Sequence, residues 1–224
     1  MKLPVIITNF KTYESAIGPR ALDLAILHAK VMEEMDVQMG VAVQPSDIFQ
    51  VASAVSIPVF AQHIDPVGFG SNTGHILPEA VKAVGAFGTL LNHSEHRLES
   101  DGALDVELLK TSIERAKEVD LYVVVCAKDP EEGAEIAKLG PDLVAVEPPE
   151  LIGGDISVST SRPEVVQGSV ELIGSGRVLV GAGVKNAEDV RIAIELGASG
   201  VLLASGVTKS DHPEVVLRDL ASGI

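Results

Sequence analysis

Short apolar runs recur along the chain at regular intervals. Those at residues 5–9, 40–43, 59–61, 89–91, 121–125, 143–146, 178–181 and 200–203 are rich in Val, Leu and Ile and end at Gly, Pro or polar residues, the pattern of buried strands. Helical periods lie between them. Residues 19–35 carry Leu22, Ala25, Ile26 and Ala29 on one stripe, and residues 104–119 repeat it with Leu108, Leu109, Ile113 and Ala116. Residues 129–139 and 187–196 have the same period, each with polar residues on the opposite face. Several starts carry capping signals: Ser46-Asp47 after Pro45, Asp129 before Pro130-Glu131-Glu132, and Asn186 before Ala187-Glu188-Asp189. Eight strands alternating with helices predict an α/β fold, a closed (β/α)8 barrel. An open doubly wound sheet is the alternative, and the last strand separates the two: in a barrel, residues 200–203 pair with residues 5–9. No linker or composition shift marks a boundary, so residues 1–224 read as one barrel domain.

Composition narrows the picture. Hydrophobic residues make up 46% of the chain, with no Trp and 3% aromatics, so the core must be built from branched aliphatics, which suit parallel strands covered on both faces. The net charge of −15 repels phosphate backbones and anionic headgroups, which argues against nucleic-acid or membrane partners. It also means that an anionic substrate would need local positive groups. The single cysteine, Cys126, allows no intrachain disulfide and fits a reducing, cytoplasmic setting. The first residues lack the build of a signal peptide, neither end carries a lipidation signal, and no apolar run approaches the ~18 residues of a membrane helix.

A barrel of this kind puts its chemistry at the carboxyl ends of the strands. The first strand ends Asn9-Phe10-Lys11, and alternation puts Asn9 and Lys11 on one face, an amide and a cation suited to an oxyanion. Taken alone, a surface lysine after a turn asparagine explains them better. The fourth ends Asn92-His93-Ser94-Glu95-His96-Arg97. His93 falls where strand is expected to give way to helix, and a helix N-terminus would hold its imidazole neutral; a capping or partly buried histidine is the plainer alternative. His93 and His96 lack the further ligands of a metal site. The sixth ends Glu147-Pro148-Pro149-Glu150-Leu151-Ile152-Gly153-Gly154. A carboxylate directly after a buried strand is costly unless paired or used. The stiff Pro pair, apolar Leu151-Ile152 and terminal glycines favour a hinged lid over a simple turn. The seventh and eighth end Gly181-Ala182-Gly183 and Ala204-Ser205-Gly206, small residues that let backbone amides approach a phosphate. Gly-x-Gly alone is weak, but two such ends on consecutive strands are less easily dismissed.

Together these segments resemble the triosephosphate isomerases, in particular the short archaeal type. Asn9-Phe10-Lys11 is similar to the family's Asn-x-Lys, Asn92 to Arg97 resembles its Gly-His-Ser-Glu-Arg-Arg, and Glu147 to Gly153 is similar to its glutamate and lid; Gln62 and Thr73-Gly74 match two further segments. The resemblance implies a TIM barrel that interconverts dihydroxyacetone phosphate and D-glyceraldehyde 3-phosphate without cofactor or metal. It implies Glu147 as base, His93 as neutral hydrogen-bond donor, Asn9 and Lys11 as enediolate stabilisers, and Glu95 either as a partner of Lys11 or as a support of the strand ends. Phosphate would sit on the amides of Gly153, Gly183, Ala204 and Ser205, with Ile152 at the lid tip. It also implies a homo-oligomer, dimer or tetramer, in which the loop at residues 63–75 reaches a neighbour, and a packing role for Cys126. This chain departs from the family in three places: Gly183 stands where the family has a phosphate-contacting serine, Ala204-Ser205 where it has Gly-Gly, and Glu150 where the lid has an aromatic. Two rivals remain. Another phosphate-binding barrel enzyme would explain the last two strand ends but not Asn9, Lys11, His93 and Glu147. A non-catalytic barrel would bind sugar phosphates without turnover.

Overall fold

The alternation of strand and helix closes on itself. In the computed structural model, which describes residues 1–151 and 157–224, eight parallel strands form a barrel. They are Val5–Asn9, Gln38–Val43, Val59–Ala61, Gly88–Leu91, Tyr122–Ala127, Leu143–Val146, Val178–Gly181 and Gly200–Leu203. The last pairs with the first, Val5 opposite Gly200 and Thr8 opposite Leu203, which excludes the open sheet. Closure there is tight: Gly200 has φ +141°, and a Cβ on it would lie 2.0 Å from the Val5 carbonyl oxygen.

Two apolar layers hold the barrel. Inward residues Val5, Ile7, Ala42, Phe60, Leu90, Val124, Leu143, Ala145, Leu179 and Leu202 fill the interior. The intervening outward residues, among them Ile6, Val41, Val123, Val144, Val178 and Val201, pack on the helices through Leu24, Leu109, Ile113, Ile136 and Leu217. The scarce aromatics gather where the strands begin: Phe87 and Tyr122 both meet Phe60 edge-on.

Of the helices expected from periodicity, Pro19–Met35 runs as anticipated, and Val106–Glu118, Pro130–Ala137 and Ala187–Glu195 are trimmed at their ends. Asp129 and Asn186 cap as expected, accepting the amides of Glu132 and Asp189. Asp47 does not cap: its carboxylate accepts the Gly18 amide and the Gln50 side chain instead. Periodicity missed Ile48–Ala52, Pro78–Ala83, Pro163–Ile173 and Pro213–Ala221. The first two are too short to show a period. Pro163–Ile173 is rich in Val and holds Gly168, all poor helix formers, yet tertiary packing makes it a helix. Three of the four open with Pro at a first-turn position, a start signal that was there to use.

One buried group outside the mouth predicts a pH effect. His28 is fully buried; its Nδ1–H donates to the Leu24 carbonyl at 2.8 Å, and its Nε2 accepts from the Thr8 hydroxyl at 2.8 Å. Burial lowers its pKa from 6.5 to about 4, outweighing the bond to Leu24. The unfolded chain therefore binds a proton on this residue that the folded one refuses, so stability is full above the unfolded value and falls as pH drops toward the folded one. Between pH 7 and pH 5 this residue is expected to cost about 2 kcal/mol. Urea unfolding at both pH values checks it: His28→Gln should lose that much less than the wild type, and equal losses would contradict the assignment.

Candidate active site

The inward series of each strand continues one step past its apolar residues, and that step is polar or small. Val5 and Ile7 lead to Asn9, Ala42 to Gln44, Phe60 to Gln62, Ala145 to Glu147, Leu179 to Gly181, and Leu202 to Ala204. Period-two alternation thus turns the oily barrel interior into a polar mouth. Asn9, Lys11, His93 and Glu147 line one cleft there, with Gly183, Ala204 and Ser205 on the same walls. Of the residues expected at the site, Ile152 and Gly153 lie outside the described residues, and with them the tip of the expected lid.

His93 reaches the cleft by a route the alternation does not give. Asn92 takes a left-handed φ of +58°, which breaks the strand's alternation. Its amide nitrogen donates to the Cys126 carbonyl at 2.9 Å, and its side-chain oxygen accepts the Leu98 amide at 2.9 Å. The asparagine braces the turn, and the imidazole beyond it faces the mouth. No helix begins there, contrary to the sequence expectation. A turn closed by His96 N–H to the His93 carbonyl at 2.7 Å leads into a short hairpin, Glu99–Ser100 with Ala103–Leu104, and the helix starts only at Val106. The tautomer is set locally instead: the Glu95 amide donates to His93 Nδ1 at 3.2 Å, so Nδ1 must offer its lone pair and Nε2 carries the hydrogen. Nε2 lies 3.6 Å from Glu147 Oε2.

Glu147 continues the sixth strand, its amide bonded to the Ala127 carbonyl at 2.8 Å. The residue is 7% exposed, and Oε2 accepts no hydrogen bond among the described residues. Such a buried, unpartnered carboxylate oxygen is costly. Room for the carboxylate comes from the next strand, where Val146 pairs with Val180. Gly181 therefore stands level with Glu147, and a Cβ on Gly181 would fall 2.3 Å from Glu147 Cγ and 2.4 Å from Oε1. The Cys126 thiol lies beside the same carboxylate. Burial first, then the charge and hydrogen bond of Glu147, push that thiol well above its usual range, which keeps it protonated and poorly nucleophilic.

Lys11 is held in a left-handed conformation, φ +48°. Its amide donates to Asn9 Oδ1 at 3.0 Å, its carbonyl accepts from Gln62 at 3.0 Å, and its ammonium donates to Glu95 Oε1 at 2.7 Å. Ala182 and Gly183 follow the seventh strand at φ +73° and +74°. A left-handed residue bearing a Cβ is the kind of local strain that clusters at functional sites. Tyr13 and Lys185 also line the cleft; they sit beyond the strand ends, where alternation carries no information, and the sequence did not single them out. Beyond the cleft, Pro148 leads into a single helical turn at Pro149–Leu151, with Glu150 paired to Arg162. Among the described residues, no group of His, Cys, Asp and Glu is arranged to hold a metal ion, and no helix is long and apolar enough to cross a membrane.

The closed barrel and its polar mouth define the class, an enzyme of the (β/α)8-barrel type. The family model described as triosephosphate isomerase matches residues 4–221. The triosephosphate isomerase of Methanosarcina barkeri is 46% identical over 98% of this chain and 98% of its own length. That of Methanothermobacter thermautotrophicus is 47% identical over 99% and 96%, and that of Methanocaldococcus jannaschii 46% identical over 96% and 98%. The chain belongs to the triosephosphate isomerase family. The crystal structure of the Bartonella henselae triosephosphate isomerase shares the fold, with a TM-score of 0.74 at 15% identity over 98% of this chain and 99% of that one.

Proposed function

We propose that Glu147, His93, Asn9 and Lys11 are the groups with which this chain works. The reaction is the family's, interconversion of dihydroxyacetone phosphate and D-glyceraldehyde 3-phosphate through an enediolate, a step of glycolysis and gluconeogenesis. In this reading Glu147 removes the proton next to the carbonyl and returns it to the adjacent carbon. His93 Nε2–H donates to the carbonyl oxygen, and the Asn9 amide and Lys11 ammonium stabilise the developing oxyanion. The observation that carries the reading is Glu147 Oε2, buried and without a hydrogen-bond partner among the described residues, 3.6 Å from His93 Nε2: a base in want of a proton beside a donor. Phosphate binds at the amides of Gly183, Ala204 and Ser205. Because Pro148 and Pro149 follow the base directly, movement of the lid would couple water exclusion to placement of the carboxylate. Turnover of D-glyceraldehyde 3-phosphate, coupled to reduction of the dihydroxyacetone phosphate formed, tests the reading. Binding of phosphoglycolate without turnover would turn it over in favour of a non-catalytic barrel.

The active form is proposed to be a homo-oligomer, dimer or tetramer, in the cytoplasm, a location that cell fractionation checks. The loop at residues 63–75 supports the assembly. Its base is pinned where Asp65 bonds both ways with Ile76, and its outer part presents Phe69 at 80% exposure, an apolar side chain that a partner would cover. Sedimentation should show a mass well above the 23.4 kDa chain, and Phe69→Asp should shift it toward monomer. An unchanged distribution would remove this loop from the interface.

A further inference from the structure

We propose that Gln44 and Gln62 are positioning residues that hold Lys11 in its working conformation, an inference that rests on the role given to Lys11 above. Both glutamines continue the inward series of their strands into the mouth, and the mechanism gives them no part. With Asn9, Lys11, His93 and Glu95 they line one cleft beside the reacting groups. Their side-chain amides form a chain of hydrogen bonds that ends on the backbone of Lys11.

The chain can run in one direction only. The Gln62 side-chain nitrogen donates to the Lys11 carbonyl at 3.0 Å and to the Ala42 carbonyl at 3.3 Å. Carbonyl oxygens only accept, so the nitrogen and not the oxygen of Gln62 must face them. The Gln62 oxygen is thereby turned to Gln44, whose side-chain nitrogen donates to it at 2.5 Å. Each amide fixes the next, from the second strand end through the third to the first. Lys11 needs such a brace. Its φ of +48° is disfavoured for a residue with a Cβ and persists only where the surroundings impose it. Asn9 Oδ1 holds the Lys11 amide at 3.0 Å and Gln62 holds the carbonyl, so the peptide groups on both sides of Lys11 are fixed. From that backbone the side chain reaches Glu95 Oε1, 2.7 Å from the ammonium. Freed of the Gln62 bond, the residue would relax toward the common backbone regions and carry its ammonium away from the oxyanion.

Ligand affinities of Gln62→Met test the inference. Phosphoglycolate presents a carboxylate where the enediolate oxygens form, and inorganic phosphate does not. Calorimetry should show phosphoglycolate bound about tenfold more weakly, and kcat/KM should fall by at least about as much. The inhibition constant of inorganic phosphate should stay within about twofold of the wild type. Gln44→Met, one step further from Lys11, should show the same pattern at about threefold. In a Lys11→Met background no ammonium is left to misplace, so adding Gln62→Met should weaken phosphoglycolate by less than about twofold. The inference is wrong if phosphoglycolate affinity and kcat/KM stay within about twofold of the wild type in both single variants. It is also wrong if inorganic phosphate weakens in parallel with phosphoglycolate, or if the loss recurs in full without the Lys11 ammonium. Wild-type phosphoglycolate affinity in Lys11→Met alone would overturn the role given to Lys11, and the inference with it.

Discussion

Replacing Glu147 by Gln is expected to lower isomerase turnover by about a thousandfold or more, with binding of phosphoglycolate retained. The amide keeps the size and polarity of the carboxylate but cannot accept a proton from carbon. The position is also one where little else should change. The carboxylate sits in space left by Gly181 and next to the Cys126 thiol, and its Oε2 has no hydrogen-bond partner to lose among the described residues. Removing a buried charge, one of whose oxygens lacks a partner among the described residues, should leave the barrel about as stable as before. Kinetics and calorimetry with the inhibitor read the two halves separately. Turnover near the wild-type rate would remove Glu147 as base. Loss of both turnover and inhibitor binding would show that the substitution collapsed the mouth.

Gly181→Ala should cost about a hundredfold in turnover although Gly181 carries no functional group. The added Cβ would stand 2.3 Å from Glu147 Cγ and 2.7 Å from Cδ, distances that cannot persist. What gives way is the free end of a side chain, not the backbone, so the barrel should form and the carboxylate should be displaced. A base moved by an ångström is out of reach of its proton, whereas the phosphate end is untouched. The signature is therefore a fall in kcat with phosphoglycolate affinity within about threefold of the wild type and a melting temperature close to it. Wild-type turnover in this variant would mean that Glu147 works from a position other than the one it occupies here.

Much of this architecture was legible from residue order. A buried parallel strand is a short branched-aliphatic run, and five of the eight, including the first and last, start and stop where the runs do. The catalytic candidates were legible for a related reason. In a barrel a polar residue directly after such a run has one place to go, and Asn9 and Glu147 follow theirs without interruption. Helices that lack a clean stripe were less visible. Pro163–Ile173, with its valines and Gly168, is a helix because it packs across Pro130–Ala137 and the sixth and seventh strands, a stabilisation that local propensity does not contain.

At the site, residue order gave which chemical groups are present and on which strand end each stands, because side-chain direction along a strand is a local property. It could not give how those groups face one another. The tautomer of His93 follows from a turn at Asn92 that bonds across to the fifth strand, not from the helix that the sequence led one to expect. The setting of Glu147 depends on the absent side chain of a residue 34 positions away, brought level by strand register. The meeting of Gly183 and Ser205 in one cleft depends on two loops that come together only when the barrel closes. These relations are distances between segments far apart in the chain, and only the packing of the whole barrel brings them within a few ångströms.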